Sequence, residues 1–282
     1  MKSASYLRRR AVDAAAKGLA WLALAGALFF LGSLLWTLLV QGGTALSWRL
    51  LTDSTPSPGG AGGLANAVVG GLLINGLALA AAVPIGILAG AYLAEYGRYG
   101  RLAGTIRFLN DILLSVPSIC IGLFVYAVVV EPQQHFSGLA GSAALAIVAL
   151  PIVVRITVDM LALVPDTLRE AAAALGAPPG KVIRSICLAS ARGGILTGAL
   201  LATARIAGET APLLFTSLNN QFWSLDMTAP MATMPATIYQ FALSPYDDWH
   251  ALAWAGALMV TATVLSMNVA ARLLVGAPRK DP

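Results

Sequence analysis

Residues 64–93 read LANAVVGGLLINGLALAAAVPIGILAGAYL, thirty consecutive positions with no charged side chain. As an α-helix this stretch would rise about 45 Å, against about 30 Å of hydrocarbon in a bilayer. It can cross a membrane, and it must tilt or project beyond the surface. Lipid offers no hydrogen-bond partner to a bare backbone, so a lone crossing segment is helical. Within the stretch, Pro84 is expected to kink the helix. Gly86 and Gly90 form a G-x-x-x-G pair, whose small residues let another helix approach closely. Asn75 either lines a route through the bundle or bonds across helices, and spacing does not decide between the two.

Five more stretches are long and apolar enough to cross: 18–40, 112–130, 139–156, 193–215 and 251–275. With 58% hydrophobic and 11% charged residues over 282 positions, the composition lies far from that of a soluble domain. The fold class is all-α, a polytopic bundle of six transmembrane helices. Lys2, Arg8, Arg9, Arg10 and Lys17 precede the first segment as they would a secretory leader. Its apolar run is too long for one, however, and no small-x-small cleavage pattern introduces a soluble domain, so it reads as a retained anchor. Residues 52–63, TDSTPSPGGAGG, are turn formers and read as an external linker that sets the first helix apart. The chain thus divides into 1–63, a five-helix core over 64–275 and a tail over 276–282. Cys120 and Cys187 fall in a membrane helix and a basic loop, so neither a disulfide nor a metal site is expected.

Lys and Arg in short loops stay on the cytoplasmic side. Placing the N-terminus inside puts Arg98, Arg101, Arg107, Arg169, Lys181, Arg184, Arg192, Arg272, Arg279 and Lys280 on that side and leaves only Arg49 outside. Both termini are then cytoplasmic. The net charge of +5 is distributed as topology requires, and no nucleic acid need be invoked.

The longest inner loop, residues 164–192, reads VPDTLREAAAALGAPPGKVIRSICLASAR. Pro165 and Asp166 open a short helix, the alanines favour it, and Gly176 with Pro178 and Pro179 ends it. A second short helix is expected over 181–190. The first helix has little basic or large apolar surface for lipid, so a protein partner fits it better.

At these residues the sequence resembles the permease subunits of ABC importers. Their loop has the form E-A-A-x3-G-x9-I-x-L-P, and Glu170, Ala171, Ala172, Gly176, Ile186 and Leu188 fall in register, with Ala189 where the proline would be. Residues 95–111 (EYGRYGRLAGTIRFLND), 115–119 (SVPSI), 207–214 (AGETAPLL) and 244–249 (SPYDDW) are similar, in order, to segments of the phosphate-importer permease subfamily, the PstA type. The resemblance spans about residues 64–275. It implies a MetI-like type I permease in a bacterial inner membrane, with a coupling loop over 165–191 that docks on a cytoplasmic ATPase subunit. It further implies two ATPase copies holding ATP and magnesium, a homologous second permease of the PstC type, an extracytoplasmic phosphate-binding protein, and inorganic phosphate as cargo.

The fifth segment carries Arg205 and Glu209 about 18 and 24 Å beyond its inner end. A charge at that depth costs about 2.5–3.5 kcal/mol even on lenient scales. Spaced i and i+4, the two can pair, and Pro212 should loosen the helix around Glu209. A guanidinium presents a fork of donors to a tetrahedral oxyanion, so Arg205, with Glu209, Thr210 and Asn75, is the candidate substrate pathway. A static ion pair that fixes helix packing is the other reading. Arg155 and Asp159, near the inner end of the fourth segment, are assigned a structural role. Residues 176–182, GAPPGKV, depart from a phosphate-binding P-loop in spacing and in Val182. No cofactor is therefore expected in this chain, and no enzymatic activity of its own. Sulfate or molybdate could replace phosphate as cargo. A non-transporting receptor or scaffold is the reading from another class; an intramembrane hydrolase lacks its motifs.

Overall fold

The computed structural model describes residues 4–97 and 100–276, and every regular element among them is helical. Nine helices are labelled here: α1 (Ala4–Ala45), α2 (Ala65–Tyr96), α3 (Arg101–Ser115), α4 (Ser118–Gln133), α5 (Gly138–Ala162), α6 (Asp166–Ala174), α7 (Pro179–Ala207), α8 (Met234–Ala242) and α9 (Asp247–Gly276). α1, α2, α5, α7 and α9 are long and apolar enough to cross a membrane, and α3 with α4 makes a sixth crossing if taken as one bent span. Lys2, Arg98, Arg279, Lys280 and nearly all of the 276–282 tail lie outside the described residues.

α5 is the centre of the bundle. The glycine pair of α2 meets one face of it: a Cβ on Gly86 would stand 2.7 Å from Val153 Cβ, and one on Gly90 2.6 Å from Thr157 Cβ. A second pair on α7 meets the adjoining face, where Gly198 lies against Ile156 and Gly194 against Met160. Backbones this close exchange dispersion contacts that lipid tails cannot match in geometry. The core continues through Ile74, Ala78 and Ala82 of α2, Leu145 and Ala149 of α5, and Ala202 and Ile206 of α7.

Three expectations need correction. The segment over 112–130 is two helices meeting at 106°. Pro117 disfavours helical geometry at the residue before it, and Val116 is extended, with φ −71° and ψ 131°. The segment over 193–215 stops at Ala207. Gly208 leaves the helix, and a separate turn, Ala211–Leu214, begins with Pro212 in its first positions. The helix expected over 181–190 is not separate: it is the opening of α7, which starts at Pro179 and passes through a π turn at Ile183–Cys187. A proline at position 189 would have deprived this helix of an amide donor; Ala189 does not. α2 runs through Pro84 and ends in a π turn, Tyr92–Tyr96.

The linker over 52–63 is stitched to the core. Asn66 accepts from the Thr55 amide (3.1 Å) and donates to the Asn220 carbonyl (3.0 Å), and the Gly59 amide donates to Asp248 (2.8 Å). α1 nevertheless stays largely apart. Its C-terminal end packs on α9, where Gly42 meets Leu258 and the Trp254 carbonyl, while Trp21, Phe29 and Phe30 remain exposed.

Replacing Gly90 or Gly198 by Leu is expected to destabilise the bundle by about 1–3 kcal/mol each, through overpacking against α5. Gly26→Ala, at a site with nothing within 4 Å, should be neutral. Thermal loss of monodisperse protein in detergent checks both.

Candidate functional site

Two regions carry the candidate functional residues, one on the short helix α6 and one at the broken end of α7. α6 begins after extended Pro165, carries Asp166 in its first turn where the helix dipole favours a carboxylate, and buries no residue completely. Its end is set by Gly176 at φ +79°, a left-handed conformation open to glycine without a steric penalty. The Gly176 amide donates to the Ala173 carbonyl (2.9 Å) and the Ala177 amide to the Ala172 carbonyl (3.1 Å), which satisfies carbonyls left over by the helix end. Glu170, Ala171 and Gly176 face outward, and Leu175 is 90% exposed. Ala172, Ile186 and Leu188 pack beneath, on a buried cluster of Leu161, Val164, Val182 and Cys187. The six motif residues therefore divide between an outward face and its support. Beside them lies a hollow of about 320 Å³ lined by Leu175, Lys181, Ser185 and Ile186.

What fastens α6 was not recognised in the sequence. Arg169 donates to both carboxylate oxygens of Glu95 at the end of α2 (2.7 and 3.1 Å). It also donates to the carbonyls of Leu161 and Val164 and to Asp166. The two side chains of the pair are only 15% and 8% exposed. The hydrogen bond to Glu95 holds the Arg169 guanidinium above its usual range, against the opposing effect of burial. In the sequence Arg169 is one inner-loop charge among many; the signal that could have found it is its position one residue before Glu170.

At the end of α7, Arg205 and Glu209 form an ion pair. The helix stops between them, at Ala207, and Glu209 lies in the turn after Gly208. The pair is asymmetric: the Glu209 side chain is 6% exposed and that of Arg205 56%. Thr210 is half-buried and its carbonyl accepts from the Leu213 amide (3.1 Å). Asn75 is elsewhere. It lines a cavity of about 280 Å³ together with Thr203 and Ala207 of α7 and Met259 and Thr263 of α9. At 100° per residue, positions 203 and 207 lie across α7 from Arg205. The Asn75 amide nitrogen donates to the Gly71 carbonyl (2.7 Å), and its oxygen is buried without a partner. The structure thus pairs Arg205 with Glu209, sets Thr210 next in the chain with its carbonyl turned into the following turn, and leaves Asn75 apart.

Arg155 and Asp159 pair at 3.2 Å with both side chains more than half exposed. They share a polar hollow with Arg107, Asn110 and Asp111 of α3. His250 bonds the Ser244 carbonyl (2.7 Å). Among the described residues no three His, Cys, Asp or Glu side chains gather as a metal site would need.

Residues 82–280 match the family model described as binding-protein-dependent transport system inner membrane component. The chain is 57% identical over 255 residues to the phosphate transport system permease protein PstA of Pasteurella multocida, covering 90% of this chain and 91% of that one. It is 56% identical over 256 residues to the protein of the same name from Haemophilus influenzae, covering 91% of each. In fold it is similar to a chain of the inward-facing MetNI methionine ABC transporter, with TM-score 0.62 and 18% identity over 76% of this chain and 95% of that one.

Gly176→Val forces a branched side chain into the left-handed region, at a cost of about 1–2 kcal/mol. The last turn of α6 is expected to open more often, raising amide hydrogen exchange at 175–177 by about tenfold, as mass spectrometry would register.

Proposed function

This chain belongs to the family of binding-protein-dependent transport system inner membrane components, and on that premise we propose that it is the transmembrane permease subunit of an ATP-driven phosphate importer. It forms half of the translocation pathway and takes its energy from a separate ATPase. The observation that carries the cargo is the 57% identity, over nine-tenths of the chain, to a PstA phosphate permease. The complete complex would add a homologous permease of the PstC type, two ATPase copies holding ATP and magnesium, and an extracytoplasmic phosphate-binding protein. The chain would sit in a bacterial inner membrane with both termini in the cytoplasm. A borrowed motor is supported by the setting of residues 176–182, which run from the end of α6 into the start of α7 with no strand before them.

In this reading α6 is the ATPase dock. Its outward alanines permit close approach, Leu175 offers an apolar contact, and Glu170 offers a charge. The core of 64–275 acts as one transport unit, and the first helix anchors it. Arg205 is the proposed anion contact. Glu209, buried and acceptor-only, holds one guanidinium nitrogen, and the exposed remainder of the fork can meet a phosphate oxygen in the pathway. Thr210 supports the turn behind it. The same exposure supports a pathway over a static pair, since a guanidinium left 56% exposed keeps donors open to an arriving anion.

Arg205→Gln is expected to leave assembly intact and lower phosphate uptake about ten- to a hundredfold, the factor for losing a charge-assisted hydrogen bond of ~1.5–3 kcal/mol. Loss of assembly instead would return the pair to a packing role, and equal competition by sulfate or molybdate would change the cargo. Affinity purification of tagged chain in mild detergent should bring down an ATPase subunit, and Glu170→Arg should release it.

A further inference from the structure

α6 presents a mechanical difficulty. None of its nine residues is fully buried, so packing alone gives it little purchase on the transmembrane helices. A force applied to its outer face would roll or lift it unless something stiffer ties it down. Arg169 provides that tie. Its guanidinium reaches α2 through both oxygens of Glu95, the end of α5 through the Leu161 carbonyl, and the α5–α6 connection through the Val164 carbonyl. Two of these bonds form a fork with a carboxylate, the arrangement that fixes orientation as well as distance. The partners are largely shielded from water, so breaking the pair would strand a buried charge.

The receiving end is equally specific. Glu95 lies in the π turn Tyr92–Tyr96 that closes α2. The same turn is held from another side by Arg107 of α3, which donates to the Leu93 carbonyl (2.9 Å). π turns inside helices recur at functional sites. From there α2 continues to Gly90 and Gly86, the positions in close contact with Thr157 and Val153 of α5.

We infer that the Glu95–Arg169 pair is the positioning link through which movement of α6 is transmitted to α2, so that the dock and the transmembrane core move as one body. The inference rests on the proposed transport function for its energy source. Glu95 and Arg169 contact neither cargo nor nucleotide in this scheme; they act by position. Severing the link lets α6 follow the ATPase while α2 stays behind.

The test uses the whole importer in vesicles, comparing wild type with Arg169→Ala, Glu95→Gln and Arg169→Lys. Phosphate moved per ATP hydrolysed should fall about tenfold or more in the first two, within the range of site-to-site coupling energies, and by less in Arg169→Lys, which keeps the charge without the fork. ATPase retained in the complex, and its hydrolysis, should stay within about twofold of wild type. An unchanged ratio overturns the inference, as does loss of ATPase in step with transport, which would mean that the pair only keeps α6 folded. A second measurement is independent of cargo. Spin labels at Tyr96→Cys and Ala173→Cys, in a Cys120→Ser background, should keep one separation with and without ATP in the wild-type pair. With Arg169→Ala added, the separation should spread on adding ATP; an unaltered distribution overturns the link. If wild-type vesicles hydrolyse ATP without moving phosphate, the cargo reading fails while the label distances still decide the link.

Discussion

Close approach of backbones at α5 is the constraint on which the other helices depend. In water, apolar faces are driven together by the solvent; in lipid that force is absent, and helices hold one another by contact distance and polar bonds. Val153 and Thr157 receive the glycines of α2, and Ile156 and Met160 receive those of α7, on adjoining faces of one helix. The far face of α5 carries Arg155 and Asp159. With α2 and α7 both registered on α5, the C-terminal end of α2 comes to lie beside α6, and the turn that follows α7 comes to lie beside α4.

That second neighbourhood is where the backbone is irregular. α3 and α4 break at Pro117, α7 breaks at Gly208, and the turn after it packs so tightly on α4 that a Cβ on Gly122 would stand 2.6 Å from the Pro212 Cα. Inside a membrane, non-helical backbone survives only where protein or a polar cavity covers it. Here protein covers part of it. Glu209 is enclosed by the break, its amide bonding the Ile206 carbonyl (3.1 Å), and the side chain of Arg205 extends out of it. The irregularity and the charge lie side by side, since α7 ends at Ala207 and Glu209 sits in the turn that follows it.

The sequence made some of this legible and hid the rest for identifiable reasons. Hydropathy found the crossing segments, because the bilayer imposes one length on all of them. The Gly86–Gly90 pair is visible too, though not its partners on α5, a valine and a threonine. The breaks are half legible: Pro212 signals loosening, but Gly208 completes it, and Pro117 sits inside a run, 112–130, apolar enough to read as one crossing. α8 falls between the apolar stretches 193–215 and 251–275, and its nine residues are too few to announce a crossing. The motif at 170–188 was plain, whereas the Arg169–Glu95 fork that holds it joins positions seventy-four apart, beyond the reach of any local pattern. Asn75 was placed with Arg205 by its polarity and depth alone; depth carries no azimuth, and the two face different spaces.

Two ion pairs of the same composition end up with opposite character, and the difference follows from what surrounds each guanidinium. Around Arg169 the acceptors are complete: a carboxylate, a second carboxylate and two carbonyls leave little of the fork unused. Such a group has no reason to bind anything more and every reason to stay in place. Arg205 has one carboxylate for five N–H donors and a half-exposed side chain. Where water is scarce such a deficit is unfavourable, and an anion bearing several oxygens relieves it. The saturated arginine suits the joint inferred for it, and the unsaturated one the anion contact proposed for it.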